Sequence, residues 1–135
     1  MEKLKEHIQS VVNIYKSGNL SKAELITKEL INNNPKVVFL YNLLGLILSE
    51  QKKDDQAMKY YEKGINIDPT YGMIYNNIGL LFYKHKTAGN IKKAESLYKK
   101  AISLDETITE AHNNLGNLYD YLDKIKDAIY CYKRA

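Results

Sequence analysis

The sequence has few of the residues that break helices or cross-link chains. Only two prolines and seven glycines occur in 135 residues, which is typical of a mostly helical chain. The lone cysteine, Cys131, cannot form a disulfide within the chain, and this agrees with a reducing compartment. No apolar run approaches the roughly 20 residues that span a bilayer, and the charged N-terminus lacks the apolar core of a signal peptide. We therefore expect a cytoplasmic protein with no membrane partner.

Arginine is almost absent as well. All but one of the 20 basic residues are lysines, the exception being Arg134. Arginine is the usual choice for bidentate contacts to phosphates and base edges, and the lysines form no continuous basic stripe along the chain. The sequence therefore argues against nucleic-acid binding. The 44% of hydrophobic and 27% of charged residues are ordinary for a folded soluble domain.

The motifs of common catalytic sites are also missing. The chain lacks HExxH, GxSxG, a phosphate-binding glycine loop and any CxxC pair. His112 occupies a position typical of core aromatic residues, and Cys131 has no sequence-local histidine or metal partner, so both are interpreted as packing residues. We expect no enzyme activity, cofactor or metal site within these residues; any activity would lie in sequence beyond residue 135.

What is present is an internal repeat. Similar octets occupy residues 41–48 (YNLLGLIL), 75–82 (YNNIGLLF) and 112–119 (HNNLGNLY). Downstream alanines recur at spacings of 34, 37 and 34, at Ala23, Ala57, Ala94 and Ala128. Four residues after each alanine stand Thr27, Tyr61, Tyr98 and Tyr132. These columns divide the chain into four units: 4–37, which is degenerate, 38–71, 72–108, which carries a three-residue insertion, and 109–135, which is truncated.

Each unit is predicted to be a pair of helices. The apolar or small residues of an octet fall at i, i+3, i+4 and i+7, one face of a helix, and the alanine and aromatic columns mark a second helix. Glycine inside a helix costs roughly 0.5–1 kcal/mol relative to alanine. Its recurrence at Gly45, Gly79 and Gly116 predicts that the second helix packs there and leaves no room for a Cβ.

Local signals predict the ends of these helices. The capping boxes Ser21-x-x-Glu24 and Thr107-x-x-Glu110 are typical of helix starts. Turns are predicted at Gly18-Asn19, Gly89-Asn90, Asn34-Pro35 and Asp68-Pro69. Because the insertion precedes Ala94 and residues 84–89 contain no apolar anchor, we expect the first helix of the third unit to run about one turn longer than its counterparts.

A 34-residue helix–turn–helix unit with these columns resembles the tetratricopeptide repeat (TPR) family. The clearest copy is Tyr41-Asn42-Leu43-Leu44-Gly45, followed by Ala57, Tyr61, Gly64 and Pro69. The resemblance extends over the whole chain, although tyrosine or histidine replaces the family's tryptophan. It implies an all-α, right-handed solenoid of antiparallel helix pairs with about three and a half to four repeats.

In this family the concave groove, lined by the other face of each first helix, usually binds extended peptides. The matching candidates are Asn42, Asn76, Asn77, Asn113, Asn114, Asn117, Tyr15, Lys16, Tyr83, Lys84 and Tyr121. Amide side chains bind a peptide backbone, tyrosines add apolar surface, and the lysines favour acidic segments. The column two residues before the glycine resembles the asparagine ladder of O-GlcNAc transferases, with Asn77 and Asn114 matching it. The alternative is that asparagines are simply abundant here and solvated.

These features favour a protein–protein interaction module that binds an extended peptide or partner segment. A second hypothesis is the N-terminal substrate-recruiting arm of a larger enzyme, a TPR-containing glycosyltransferase or sulfotransferase. A third is a scaffold that self-associates through an uncapped, apolar C-terminal face around Tyr130 and Tyr132.

Overall fold

The computed structural model describes residues 2–122 and 125–134, and these residues form helices joined by short connections, with no strand among them. The predicted all-α class is therefore confirmed. The helices are α1 (Glu2–Lys16), α2 (Leu20–Asn33), α3 (Val38–Glu50), α4 (Asp54–Ile67), α5 (Gly72–Lys84), α6 (Ala88–Leu104), α7 (Thr109–Tyr121) and α8 (Ile125–Arg134).

The chain divides into two compact units, Met1–Ile67 with α1 to α4 and Asp68–Ala135 with α5 to α8. In the first unit α2 packs against α1 and α3, and α3 packs against α4. In the second, α6 packs against α5 and α7, α7 packs against α8, and α5 also contacts α7. Helices joined by so few residues pack as antiparallel neighbours. Each predicted repeat contains two helices, except that α1 begins at Glu2, two residues before the first repeat. The repeat boundaries stay a prediction.

The octet glycines lie directly against a tyrosine of the following helix. A Cβ added to Gly79 would lie 2.7 Å from Cε1 of Tyr98, and one added to Gly116 would lie 2.8 Å from Cε1 of Tyr132. Gly45 faces Tyr61 in the same way. Real Cβ atoms do not approach a ring this closely, so the expectation that the second helix excludes a side chain at these positions is confirmed.

In the degenerate first repeat, a larger residue replaces the glycine and a smaller one replaces the tyrosine. Val11 stands in the glycine column and Thr27 in the tyrosine column, and both are fully buried. The Thr27 hydroxyl donates to the carbonyl oxygen of Ala23 at 2.7 Å, so its burial leaves no unpaired donor. We infer that the smaller residue on α2 makes room for the larger one on α1, as volume-conserving changes do in packed cores.

The alanine anchors Ala23, Ala57 and Ala94 are fully buried, which is where a close approach of two helices requires a small side chain. The fourth anchor, Ala128, lies in α8, but its side chain falls outside the described residues, and so does Ala135 at the end of the last predicted repeat.

The first residue of each octet holds the loop that precedes it. The hydroxyls of Tyr41 and Tyr75 donate to the carbonyl oxygens of Pro35 and Pro69 at 2.7 and 2.8 Å. His112 makes the equivalent bond from Nε2 to the carbonyl oxygen six residues before it, at 2.9 Å, which requires the proton on Nε2. A ring with a polar tip packs and bonds at once. This explains why tyrosine and histidine occupy the column.

The insertion lengthens α6 rather than α5, so the expectation of a longer first helix is wrong. Helix α5 has 13 residues, as do α3 and α7, whereas α6 has 17 residues and α4 has 14. Thr87 caps the start of α6, because its side chain accepts the Asn90 N–H at 3.2 Å. Gly89 and Asn90 therefore lie in the first turn of α6 and not in the predicted bend.

The two predicted capping boxes are also wrong. Helix α2 begins after Asn19, whose side chain accepts the Lys22 N–H at 3.3 Å, so Ser21 lies inside the helix. Thr107 lies before α7, where its N–H and hydroxyl both donate to Oδ1 of Asp105 at 3.0 and 2.6 Å. A side chain that bonds within its own loop is not available to cap the helix.

The Asp105 turn has a counterpart one repeat earlier. Thr70 donates its N–H and its hydroxyl to Oδ1 of Asp68, at 3.0 and 2.6 Å. In each turn the hydrogen bonds from the threonine hydroxyl and N–H hold the pKa of the aspartate below its ordinary value.

The turns within the first two helix pairs require a left-handed backbone. Gly18 has φ of 89° between α1 and α2, and Lys52 has φ of 63° between α3 and α4, 34 residues later. Glycine adopts this conformation without strain, which agrees with the predicted turn at Gly18-Asn19. The second repeat achieves the same turn with a lysine.

Candidate functional site

In the first unit, the candidate groove columns are joined by a hydrogen bond between α1 and α3. The Tyr15 hydroxyl donates to the Glu50 carboxylate at 2.8 Å. Burial, together with the bond to this carboxylate and its negative charge, raises the pKa of Tyr15 to about 12, so the phenol stays a hydrogen-bond donor well above neutral pH. Tyr15 is held half-buried and Lys16 beside it is exposed.

In the second unit, the same columns bring two tyrosines together. The rings of Tyr83 on α5 and Tyr121 on α7 have centroids 6.2 Å apart and meet edge to face. The Lys86 ammonium lies 4.9 Å from the centre of the first ring and 5.0 Å from the centre of the second, which is cation–π distance. Tyr121 is 50% exposed, Tyr83 is half-buried, and Lys84 is exposed.

Three candidate asparagines form a hydrogen-bonded chain that links α5 to α7. Asn114 Nδ2 donates to Asn76 Oδ1 at 2.9 Å, and Asn76 Nδ2 donates to Asn77 Oδ1 at 3.3 Å. Asn76 is 1% exposed and Asn77 is 3% exposed. Asn42, in α3, is likewise buried. The buried side chains of Asn42, Asn76 and Asn77 therefore lie in the interior of their units, where a peptide does not reach them without a rearrangement.

The remaining asparagines are accessible. Asn113 and Asn117 are exposed on α7, and Asn114 is half-buried. The Asn117 side-chain oxygen accepts a hydrogen bond from the hydroxyl of Tyr132. We use the name α5–α7 face for the accessible candidates of the second unit: Asn113, Asn114, Asn117, Tyr121, Tyr83 and Lys84.

Lys86 is not among the candidate groove residues, although it lies over both tyrosines of this face. The inserted segment was expected to lengthen α5, whereas α5 ends at Lys84 and α6 begins at Ala88. Lys86 therefore lies in the connection between these helices, and its ammonium contacts Tyr121 at the end of α7. The signal that predicts this is Thr87, a good N-cap residue directly before a helical stretch.

The chemistry available on these surfaces is non-covalent. Amide groups, phenol rings and ammonium groups suit the binding of another chain. Within residues 2–122 and 125–134, no cluster of histidine, cysteine, aspartate and glutamate is arranged to hold a metal ion. No helix among these residues has the length and apolar character needed to cross a membrane. Cys131 is buried.

Comparison with known proteins identifies the repeats. A family model described as TPR repeat matches residues 45–86, and one described as tetratricopeptide repeat matches residues 73–108 and 109–135. The uncharacterised protein ycf37 of Pyropia yezoensis is 33% identical over 80 residues, which are 59% of this chain and 43% of that protein. The aligned stretch thus spans less than half the length of this curated relative.

Solved structures share the fold. PilF of Pseudomonas aeruginosa superposes with a TM-score of 0.82 at 18% identity, over 98% of this chain and 60% of that one. MamA of Desulfovibrio magneticus RS-1 superposes with a TM-score of 0.72 at 18% identity, over 97% of this chain and 72% of that one. At this identity the likeness concerns the fold alone. It confirms the predicted class, a solenoid of antiparallel helix pairs.

Proposed function

Because the chain belongs to the tetratricopeptide-repeat family, we propose that it is a protein–protein interaction module that binds an extended partner segment on its second unit. The observation that carries this proposal is the α5–α7 face. There, accessible amide side chains on α7 lie on the same helix as a half-exposed tyrosine that contacts α5. Repeats of this family serve as binding scaffolds, and this surface supplies both polar and apolar contacts.

The amides suit the backbone of an extended chain. Asn117 lies four residues after Asn113 and three after Asn114, so its side chain neighbours both on the surface of α7. Asn114 uses one N–H for the bond to Asn76, which leaves its carbonyl oxygen for a partner's N–H. Tyr121 adds ring surface that gains from leaving water.

The first unit has less accessible amide surface among its candidate residues than the second unit. Asn42 is buried, and the Tyr15 hydroxyl is bonded to Glu50. What remains accessible is the positive charge of Lys16 and part of the Tyr15 ring. This charge favours acidic partners by steering, an effect that salt weakens.

The proposal is tested with an array of ten-residue peptides of acidic and of neutral composition, followed by calorimetric titration of the best binder into the full chain. We expect Tyr121→Ala, or Asn113→Ala combined with Asn114→Ala, to weaken binding about 10-fold, the value of one or two lost contacts. Tyr130→Ala removes another exposed tyrosine, 62% exposed against 50% for Tyr121, from α8 and serves as the matched control. Unchanged affinity in folded groove variants, or an array without binders, would contradict the proposal.

The alternative of a substrate-recruiting arm concerns sequence outside these 135 residues. The narrower resemblance to O-GlcNAc transferases and TPR-containing sulfotransferases stays a prediction, as does a cytoplasmic location. Reading the complete gene product separates this alternative from a stand-alone module, since a catalytic domain would follow the repeats.

Self-association is a second candidate function, favoured by the outer surface of α8. Ile129, Tyr130 and Tyr132 are all exposed there, and Tyr130 is 62% exposed. Exposed apolar surface of this kind marks contacts between proteins, and a second copy is the occupant to test. Light scattering across a concentration series should give a mass above that of the monomer, and Ile129→Glu should restore the monomer. A monomeric wild-type chain at millimolar concentration would exclude this candidate.

A further inference from the structure

A depression of about 440 Å³ opens beside the α5–α7 face, between the first turns of α6 and the end of α7. We call it the α6–α7 pocket. Its lining consists of Lys86, Ala88, Ile91, Lys92, Glu95, Tyr121 and Leu122. Lys86 and Ala88 belong to the inserted segment, Ile91, Lys92 and Glu95 follow them in α6, and Tyr121 is the only candidate groove residue in this lining.

The inner wall of the pocket is apolar and is only partly covered. Ile91 is buried at its base, where it belongs to the core between α6 and α7. Tyr121 and Leu122 remain 50% and 37% exposed at its side. Large apolar side chains left in water in this way release free energy when a partner's apolar side chain covers them.

The rim of the pocket is cationic. Among the described residues, neither Lys86 nor Lys92 has a carboxylate within ion-pair distance, and the Lys86 ammonium rests on two tyrosine rings instead. Glu95 does not offset this charge, because Lys99 pairs with it at 3.2 Å and the Tyr119 hydroxyl donates to it at 2.6 Å. The start of α6 adds the partial positive charge of a helix N-terminus.

We propose that the α6–α7 pocket accepts a large apolar side chain of the partner whose neighbours along the partner chain are carboxylates. The apolar group would cover Ile91, Tyr121 and Leu122, while the carboxylates would pair with Lys86 and Lys92. This proposal rests on the proposed function and states its specificity: the partner segment is acidic around one large apolar residue. Charge complementarity selects this partner, since neither Lys86 nor Lys92 has a carboxylate partner among the described residues.

One feature of the pocket favours the opposite specificity, a cationic partner side chain, and the experiment has to distinguish the two. Two tyrosines around an ammonium resemble a site for a cationic side chain, with Lys86 filling it from within the chain. A partner lysine would have to displace Lys86 and approach the other lysines of the rim. Repulsion between like charges disfavours that arrangement.

The experiment uses fluorescein-labelled glycine–serine peptides with a central Glu-Phe-Glu, Glu-Ala-Glu or Lys-Phe-Lys, titrated with the full chain by fluorescence anisotropy at low and high salt. We expect the Glu-Phe-Glu peptide to bind at least 10-fold more tightly than the other two. Lys86→Gln with Lys92→Gln should weaken it about 10-fold and flatten its salt dependence. Lys22→Gln with Lys59→Gln removes the same charge from exposed positions on α2 and α4 and should have a much smaller effect.

The possible results separate the two proposals. Tighter binding of Lys-Phe-Lys, or equal losses in the two double variants, would overturn the pocket proposal. If either of these results is found while Tyr121→Ala still weakens the binding of an array-selected peptide, the interaction module stands and only its specificity is wrong. If no peptide binds in either experiment, both proposals fail.

Discussion

Gly79→Leu is expected to lower the free energy of unfolding by roughly 3 kcal/mol, at the upper end of what overpacking a core costs. A Cβ at this position would already meet Cε1 of Tyr98 at 2.7 Å and Cδ1 at 2.9 Å, before the rest of the leucine is added. The Tyr98 ring is fully buried, so it cannot move aside into solvent. Urea titration followed by circular dichroism measures the loss, with the midpoint shifting to lower urea.

Gly89→Ala is the matched control for this variant. Gly89 also lies in a helix, yet nothing lies within 4 Å of the position its Cβ would take. Alanine there should leave stability unchanged or raise it by roughly 0.5–1 kcal/mol, because alanine loses less conformational freedom than glycine. A similar loss at both glycines would contradict the steric explanation.

The first repeat supplies a compensating exchange that tests the same contact. Gly79→Val combined with Tyr98→Thr transfers the pair formed by Val11 and Thr27 to the third repeat. The valine should cost much less when the tyrosine is absent, so the double variant should be more stable than the sum of the single changes by about 2 kcal/mol. Additive losses would mean that Val11 and Thr27 are not a compensated pair.

The sequence predicted the helix pairs because their packing repeats at fixed positions. Gly45, Gly79 and Gly116 carry a cost that each repeat offsets in the same way, with a tyrosine of the next helix over the glycine. A contact between two columns of one repeat is visible in the sequence whenever both columns recur. The first helix pair was harder to identify, since Val11 and Thr27 preserve the volume of the pair but not its residue types.

The helix ends in the inserted segment depend on competition between local signals. Gly89 and Asn90 favour a turn, whereas Thr87 favours a helix start three residues before Asn90. The cap at Thr87 prevails, since it satisfies an N–H group of the first turn and allows α6 to bury Ile91. Nothing in the periodicity distinguishes these outcomes, because residues 84–89 contain no apolar anchor.

The depth of the asparagines could not be predicted from the period of one helix. The period gives the direction in which a side chain leaves its own helix, and on this ground Asn76 and Asn114 were expected on the same surface. Whether that surface is covered depends on how closely the neighbouring first helix approaches. Asn76 is buried because α7 packs against α5 and places Asn114 within hydrogen-bond distance.

This burial changes the expected result of removing an asparagine. Asn76→Ala should lower the free energy of unfolding by roughly 2–3 kcal/mol, since it deletes both bonds of the chain and removes this partner from the buried Asn77 and the half-buried Asn114. Asn113→Ala, one residue from Asn114 but exposed, is the control and should change stability by less than about 0.5 kcal/mol. In peptide binding the larger effect should come from the other variant. Asn113→Ala should weaken affinity, whereas Asn76→Ala should act only through the position of Asn114. Urea titration and calorimetric titration of both variants measure the two effects. A stable Asn76→Ala variant with reduced affinity would instead make Asn76 a direct contact for the partner, and α5 and α7 would then have to separate when it binds.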